Sequence, residues 1–161
     1  MRALLLLAAC GVLLCGCNST PRKPHLGIAL DLRIGPVREG ESKVRVDADL
    51  GHGSETRVNS RGTYVAYAQA KLRVGFYTDR GHQFAIEIRT RSPRYTTSSG
   101  IGVGSTLAQL RRRIDVTCDE SDPYSCHHPV ELTNDTGTAT VFKIDPATKR
   151  VIEVDVVAVG G

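Results

Sequence analysis

Residues 72–89 have the sequence LRVGFYTDRGHQFAIEIR, in which apolar side chains alternate with smaller or polar ones on both sides of a polar turn. Leu72, Val74 and Phe76 form the first alternating set, and the pattern resumes at Phe84 after Thr-Asp-Arg-Gly. Because side chains two positions apart point to the same face of a strand, this stretch predicts a β-hairpin with one buried face.

The same pattern recurs near the C-terminus. Phe142 and Ile144 lead into Asp-Pro-Ala-Thr, and Ile152, Val154 and Val156 alternate after it. Proline suits the second position of a type I turn, so a second hairpin is predicted. Alternation also predicts a half-buried strand over residues 28–34.

A short amphipathic helix is predicted before the second hairpin. Leu107, Leu110 and Ile114 recur at helical spacing. Thr106 and Gln109 have the spacing of a capping box, in which two otherwise unpaired backbone amides are satisfied.

Residues 43–50 are ambiguous between helix and strand. Their apolar side chains alternate strictly, as in a strand, but Ser42 is a good helix N-cap and Gly51 a good helix end. We favour a helix, because Gly40-Glu-Ser42 then aligns with Gly104-Ser-Thr106. A strand here would favour an all-β fold without the repeat.

These patterns together predict an α+β fold for residues 26–161. The expected architecture is two tandem units of a short helix plus an antiparallel hairpin that form a small sheet, with internal repeats over 26–92 and 93–161.

Composition excludes several classes of protein. The chain has 161 residues, of which 40% are hydrophobic and 24% charged, so disorder is not expected. A net charge of +4 is too small to indicate a nucleic-acid partner. His52 lies close to Ser54, but no nucleophile elbow surrounds them. We therefore expect no enzymatic activity, no cofactor and no metal.

The N-terminus has the pattern of a secretory leader. Arg2 precedes an apolar run over residues 3–14 that is too short to span a bilayer comfortably. Leu14-Cys-Gly-Cys17 resembles the lipobox of bacterial lipoproteins, although Cys15 stands where that family prefers Ala, Ser or Thr. Cys10 fits the pattern less well, because a shorter apolar run precedes it.

The resemblance to lipoproteins implies a signal peptide over 1–16 and lipidation of Cys17. Residues 17–25 would then hold the lipidated Cys and a polar tether, and the domain would lie on the extracytoplasmic face of a bacterial membrane, the outer membrane if the source has one. The alternative is an ordinary secretory signal that leaves a soluble protein.

After such processing, Cys118 and Cys126 would be the remaining cysteines. An even pair in an oxidising compartment predicts a disulfide. The acidic loop between them and the following His127-His128 lack the spacing of a zinc or calcium site, so a solvated loop closed by the disulfide is expected.

A weaker resemblance concerns the glycine-rich turn over residues 100–106 and the helix and hairpin after it. This arrangement is similar to that of small outer-membrane-assembly lipoproteins and of tandem-repeat β-lactamase inhibitory proteins. The resemblance implies binding more than catalysis, and no contact residue of those families can be carried over.

Two arginine groups are candidate binding residues, for anionic lipid headgroups, an anionic envelope polymer or an acidic envelope protein. They are Arg89, Arg91 and Arg94 after the first hairpin, and Arg111, Arg112 and Arg113 in the last turn of the second helix. The sequence thus predicts a membrane-anchored, non-catalytic interaction or structural module of the cell envelope. The alternatives are an envelope-acting hydrolase or an inhibitor of a secreted enzyme.

Overall fold

The computed structural model describes residues 27–119, 121, 124–128 and 137–160. The predicted signal peptide, Cys17 and the tether lie outside these ranges. Within them, no helix is both long enough and apolar enough to cross a membrane.

An eight-stranded antiparallel sheet is the larger part of the fold. Its strands are, in spatial order, β4 (Ser54–Arg57), β5 (Gly62–Tyr67), β6 (Leu72–Asp79), β7 (His82–Thr90), β12 (Arg150–Val159), β11 (Gly137–Asp145), β10 (Ser125–His127) and β9 (Thr117–Asp119). The sheet consists of two meanders, β4 to β7 and β9 to β12, which join where β7 pairs with β12.

A smaller sheet has four short strands. In spatial order they are β3 (Val37–Arg38), β2 (Arg33–Ile34), β1 (Gly27–Ala29) and β8 (Thr96–Thr97). The first three pair antiparallel, and β1 pairs parallel with β8.

Two short helices precede the meanders, α1 (Lys43–Leu50) and α2 (Leu107–Arg113). Both follow the predicted capping. The side chain of Ser42 accepts a hydrogen bond from the Arg45 amide, Gly51 ends α1 at a φ of 79°, and the predicted capping box opens α2. The ambiguous stretch is therefore a helix, because the caps at Ser42 and Gly51 outweigh the strict alternation of its apolar side chains.

One core lies between the large sheet on one side and the helices and small sheet on the other. Its buried side chains include Ile28, Ile34 and Val37 of the small sheet, Val46 of α1, Leu110 of α2, and Val74, Ile88, Phe142 and Val154 of the large sheet. Since the inner faces of both sheets contribute to this cluster, their outer faces point in opposite directions.

Both predicted hairpins are confirmed. Asp79 pairs with His82 across the first turn and Asp145 with Arg150 across the second. Each hairpin contains one register shift, after Gly75 in the first and after Lys143 in the second.

The predicted α+β fold of helix-plus-hairpin units is wrong. The described chain is mostly β: each helix is followed by a meander of four strands, and there are two sheets, of four and eight strands. The extra strands gave no clear signal, because β4 is exposed along its whole length and β9 and β10 flank the stretch predicted to be a solvated loop.

The predicted strand over residues 28–34 is also wrong. The chain turns back at Asp31, which has a φ of 55°. The Asp31 amide donates to Thr140 Oγ1 at 2.6 Å, and Asp31 Oδ1 accepts from the Thr140 amide at 2.7 Å. These contacts with a distant strand stabilise a turn that the local pattern does not predict.

Candidate interaction surface

The face of the large sheet that points away from the core carries a network of ion pairs. Arg73, Arg89 and Asp155 are cross-strand neighbours in one row, and Glu153 and Lys143 are neighbours in the next. The core residues of these strands occupy the alternating positions, so these charged side chains share the outer face.

Arg89 lies at the centre of this network. It pairs with Glu87, and its Nε lies 3.5 Å from Asp155 Oδ1 and 3.7 Å from Glu153 Oε1. Lys143 Nζ lies 2.6 Å from Glu153 Oε1 and 3.1 Å from Asp155 Oδ2. The side chains of Glu153 and Asp155 are only 3% and 7% exposed, so cations rather than water compensate them.

The two buried carboxylates have pKa values shifted in opposite directions. Burial favours a raised pKa for Glu153, but hydrogen bonds from Lys143 and Arg91 outweigh it and lower the pKa. Burial raises the pKa of Asp155 to about 6, against the opposing effect of Arg89 and Lys143. Among the described residues, Asp155 Oδ1 has no hydrogen-bond partner, which explains why burial dominates there.

A cationic cleft of about 300 Å³ opens beside the network. It is lined by Lys71, Leu72, Arg73, Arg89, Thr90, Arg91 and Glu153. Glu153, the acid of this lining, already pairs with Lys143 and Arg91. The charge of Lys71 and Arg73 is not matched by an ion pair within the described ranges, so the cleft has an excess of positive charge.

Arg73 is held against an aromatic ring. Its guanidinium carbon lies 4.4 Å from the centre of the Tyr64 ring, and Tyr64 Oη donates to Glu87 Oε2 at 2.5 Å. Gly75 makes room for this ring, because a Cβ at residue 75 would come within 2.9 Å of it. The position of the Tyr64 ring against Arg73 therefore depends on a glycine in the neighbouring row.

An apolar groove of about 570 Å³ continues from Tyr64 along the same face. Val58, Tyr77 and Ile86 line it and are 58%, 37% and 39% exposed. Arg61 lines the rim and donates from Nη1 to Tyr77 Oη at 3.0 Å. The outer face of the large sheet thus combines exposed apolar side chains with adjoining cations, as protein-binding surfaces do.

The structure does not gather the predicted arginines into one cleft. Arg89 and Arg91 line the cationic cleft, whereas Arg94 and Arg113 line two clefts beside β1 and β8. Arg111, Arg112 and Arg113 occupy the last turn of α2, as the sequence predicts.

Sequence reasoning missed four cationic residues: Lys71 in the turn before β6, Arg73 of β6, and Arg33 and Arg38 of the small sheet. The alternation of residues 72–76 already places Arg73 opposite the buried set. Its proximity to Arg89 follows only from the register of β6 and β7.

The predicted disulfide is confirmed. Cys118 and Cys126 are bonded and are cross-strand partners in β9 and β10. Much of the acidic loop between them, including residue 120, lies outside the described residues.

The described part of the chain holds no cluster of His, Cys, Asp or Glu suited to a metal ion. An envelope hydrolase would need a pocket that gathers His52 or His82 with a carboxylate. Neither histidine lines the cationic cleft, the apolar groove or the two clefts beside β1 and β8.

Comparisons with known proteins give little for this chain. No family model matches it, and no curated protein matches it. A crystal structure of a cysteine-rich secretory protein from Staphylococcus aureus subsp. aureus Mu50 aligns with 74% of this chain and 44% of that chain, at 11% identity and a TM-score of 0.47. The match therefore spans less than half the length of that protein.

Proposed function

We propose that this chain is a lipid-anchored, extracytoplasmic bacterial lipoprotein that binds an acidic partner protein of the cell envelope and has no catalytic role. The leader and the Leu14-Cys-Gly-Cys17 motif support the anchor. The outer face of the large sheet supports the interaction, and the observation that carries it is the excess of positive charge that the described residues give the cationic cleft beside the apolar groove.

The partner's chemistry follows from this face. Arg73 lies directly opposite Arg89 on the neighbouring strand, and the carboxylates of Glu87, Glu153 and Asp155 form their ion pairs with Arg89. A partner that presents carboxylates to Lys71 and Arg73, and an apolar side chain to Val58 and Tyr77, would satisfy both parts of the surface.

Photo-crosslinking in the native host tests the interaction. A photoreactive residue at position 77 of the full chain should give a discrete adduct, which Arg73→Glu combined with Lys71→Glu should abolish. Arg112→Glu, which changes an exposed charge on α2, should leave the adduct unchanged. The absence of an adduct, or an adduct that survives the first pair of substitutions, would contradict the proposed binding face.

The anchor is tested separately by the intact mass and detergent partitioning of the native protein and of Cys17→Ala. We expect acyl mass and partitioning into detergent only when Cys17 is present. A native protein with a free mature N-terminus and no acyl mass would refute the anchor.

A further inference from the structure

The outer face of the small sheet is a second cationic surface. Arg33 of β2 and Arg38 of β3 are cross-strand partners, so their side chains leave the sheet on the same side. Ile34 and Val37, the neighbouring pair, are buried on the other side. The two arginines therefore project away from the core.

Arg94 extends this surface across β1 and β8. A cleft of about 440 Å³ is lined by Gly27, Ile28, Ala29, Arg33, Arg94, Thr96, Thr97 and Ser98. Among the described residues, the lining contains two arginines, hydroxyl groups and no acidic residue. The guanidinium carbon of Arg94 lies 5.1 Å from the centre of the Tyr95 ring, and Arg94 Nη2 donates to Tyr95 Oη at 3.2 Å. These two contacts hold the guanidinium group at the cleft.

An adjoining cleft continues the surface towards α2. It shares Ile28, Ala29, Thr97 and Ser98 with the first cleft and adds Arg113, whose Nη1 donates to the Ser99 carbonyl oxygen at 2.7 Å. This second cleft also contains Asp115, so of the two clefts the first, which Arg33 and Arg94 line, has the greater excess of positive charge.

The described fold begins at the same place. Gly27 lines the first cleft and pairs with Thr96. Residues 18–26 connect Gly27 to Cys17. A chain of this length spans at most about 35 Å. If Cys17 is lipidated, the arginine-bearing face is therefore held within a short distance of lipid headgroups, where weak contacts suffice because the effective concentration is high.

We propose that this small-sheet face, made of Arg33, Arg38 and Arg94, docks on the headgroups of anionic phospholipids. The inference rests on the proposed anchor. It also assigns an orientation: the small sheet faces the membrane, and the outer face of the large sheet points away from it, towards the partner.

The chemistry fits phosphate. Guanidinium groups bind phosphate oxygens through paired N–H donors, and hydroxyl groups such as those of Thr96 and Ser98 can complete the contact. Neutralising each arginine should weaken docking about fivefold, and neutralising all of them about a hundredfold.

Amide hydrogen exchange on the native full-length protein provides the test. The protein is reconstituted in phosphatidylcholine vesicles with or without phosphatidylglycerol. Exchange in peptides covering residues 94–100 should slow only on the vesicles that contain phosphatidylglycerol, and high salt should remove the effect. Arg33→Glu, Arg38→Glu and Arg94→Glu together should also remove it.

A matched control makes the same charge change at exposed arginines outside the small sheet and its clefts. Arg57→Glu, Arg73→Glu and Arg80→Glu should leave the slowed exchange intact. If the small-sheet variant is poorly folded, the corresponding Gln variant and the salt dependence of the wild type take its place. Equal exchange on both vesicle types, or slowed exchange that persists without the small-sheet arginines, would overturn the proposal.

Failure of the anchor is distinguishable from failure of the docking face. Acyl mass on the native protein with equal exchange on both vesicle types refutes the face alone. If acyl mass is absent, sedimentation with phosphatidylglycerol vesicles decides: binding that the small-sheet variant loses supports the face without the anchor, and no binding refutes both.

Discussion

Two carboxylates on β12 show how single contacts determine the pKa of a buried group. Glu153 and Asp155 are both buried and both lie near Lys143 and Arg89. Both Glu153 oxygens accept hydrogen bonds from cations, whereas Asp155 Oδ1 faces Arg89 Nε without a hydrogen bond. Burial therefore determines the direction of the pKa shift at Asp155, whereas hydrogen bonds determine it at Glu153.

Asp155→Asn should change how stability depends on pH. With a folded-state pKa of about 6 and an unfolded value near 3.8, Asp155 binds more protons in the folded state, so its contribution is present at low pH and is lost as pH rises through about 6. As pH rises from about 4 to about 7, the difference in unfolding free energy between the variant and the wild type should shift in favour of the variant by on the order of 3 kcal/mol. Denaturant titrations at several pH values measure this gain.

Glu153→Gln is the matched control, because the pKa of Glu153 is shifted in the opposite direction. Its lowered pKa stabilises the fold above the unfolded value of 4.5, and this contribution is lost as pH falls through the folded-state pKa. The Gln variant should therefore lose stability relative to the wild type at neutral pH. If the stability of both variants relative to the wild type changed with pH in the same direction, the opposite pKa shifts of Asp155 and Glu153 would be contradicted.

Tyr67→Phe tests a contact between α1 and the large sheet. Tyr67 Oη donates to Asp47 Oδ1 at 2.7 Å, and burial and this hydrogen bond raise the pKa of Tyr67. Loss of a hydrogen bond to a charged, largely buried group should lower the unfolding free energy by about 1.5 to 3 kcal/mol. Tyr77→Phe, which removes an exposed contact with Arg61, should change it by less than about 0.5 kcal/mol in the same denaturation assay.

At the scale of elements, the disulfide links the two strands at one edge of the large sheet. Replacing Cys118 and Cys126 together with Ala should lower the unfolding free energy by about 2.5 kcal/mol, as the chain-entropy model gives for a short closed loop. Thermal unfolding of the wild type with and without reductant is the control, because reduction keeps both side chains. A melting temperature that reductant leaves unchanged would contradict the prediction.

Local signals predicted some elements and not others. The caps at Ser42 and Thr106 and the turns of both hairpins act through neighbouring residues, so the sequence is sufficient to find them. Strand β4 is exposed at every position and therefore has no alternation to detect. The turn at Asp31 depends on Thr140, more than a hundred residues away, which no local pattern contains.

At the scale of the whole molecule, the two cationic faces lie on opposite sides of one core and should act independently. Arg73→Glu should reduce crosslinking at position 77 and leave lipid-dependent exchange unchanged, and the small-sheet substitutions should do the reverse. The effects of Arg73→Glu and Arg33→Glu on the unfolding free energy should add within about 0.5 kcal/mol in the double variant. A larger deviation would show that the faces are coupled.

The sequence by itself determined the hairpins, the helix caps and the outward position of Arg73, because each depends on periodicity or on neighbouring groups. It also predicted the pairing of Cys118 with Cys126, from the cysteines that remain after the expected processing. Only the tertiary structure decided that the fold is mostly β, that Arg89 and Arg73 meet, and that Arg33 and Arg94 share a cleft beside Gly27. Those outcomes depend on strand register and on the packing of two sheets around one core, which bring together residues that are far apart in the chain.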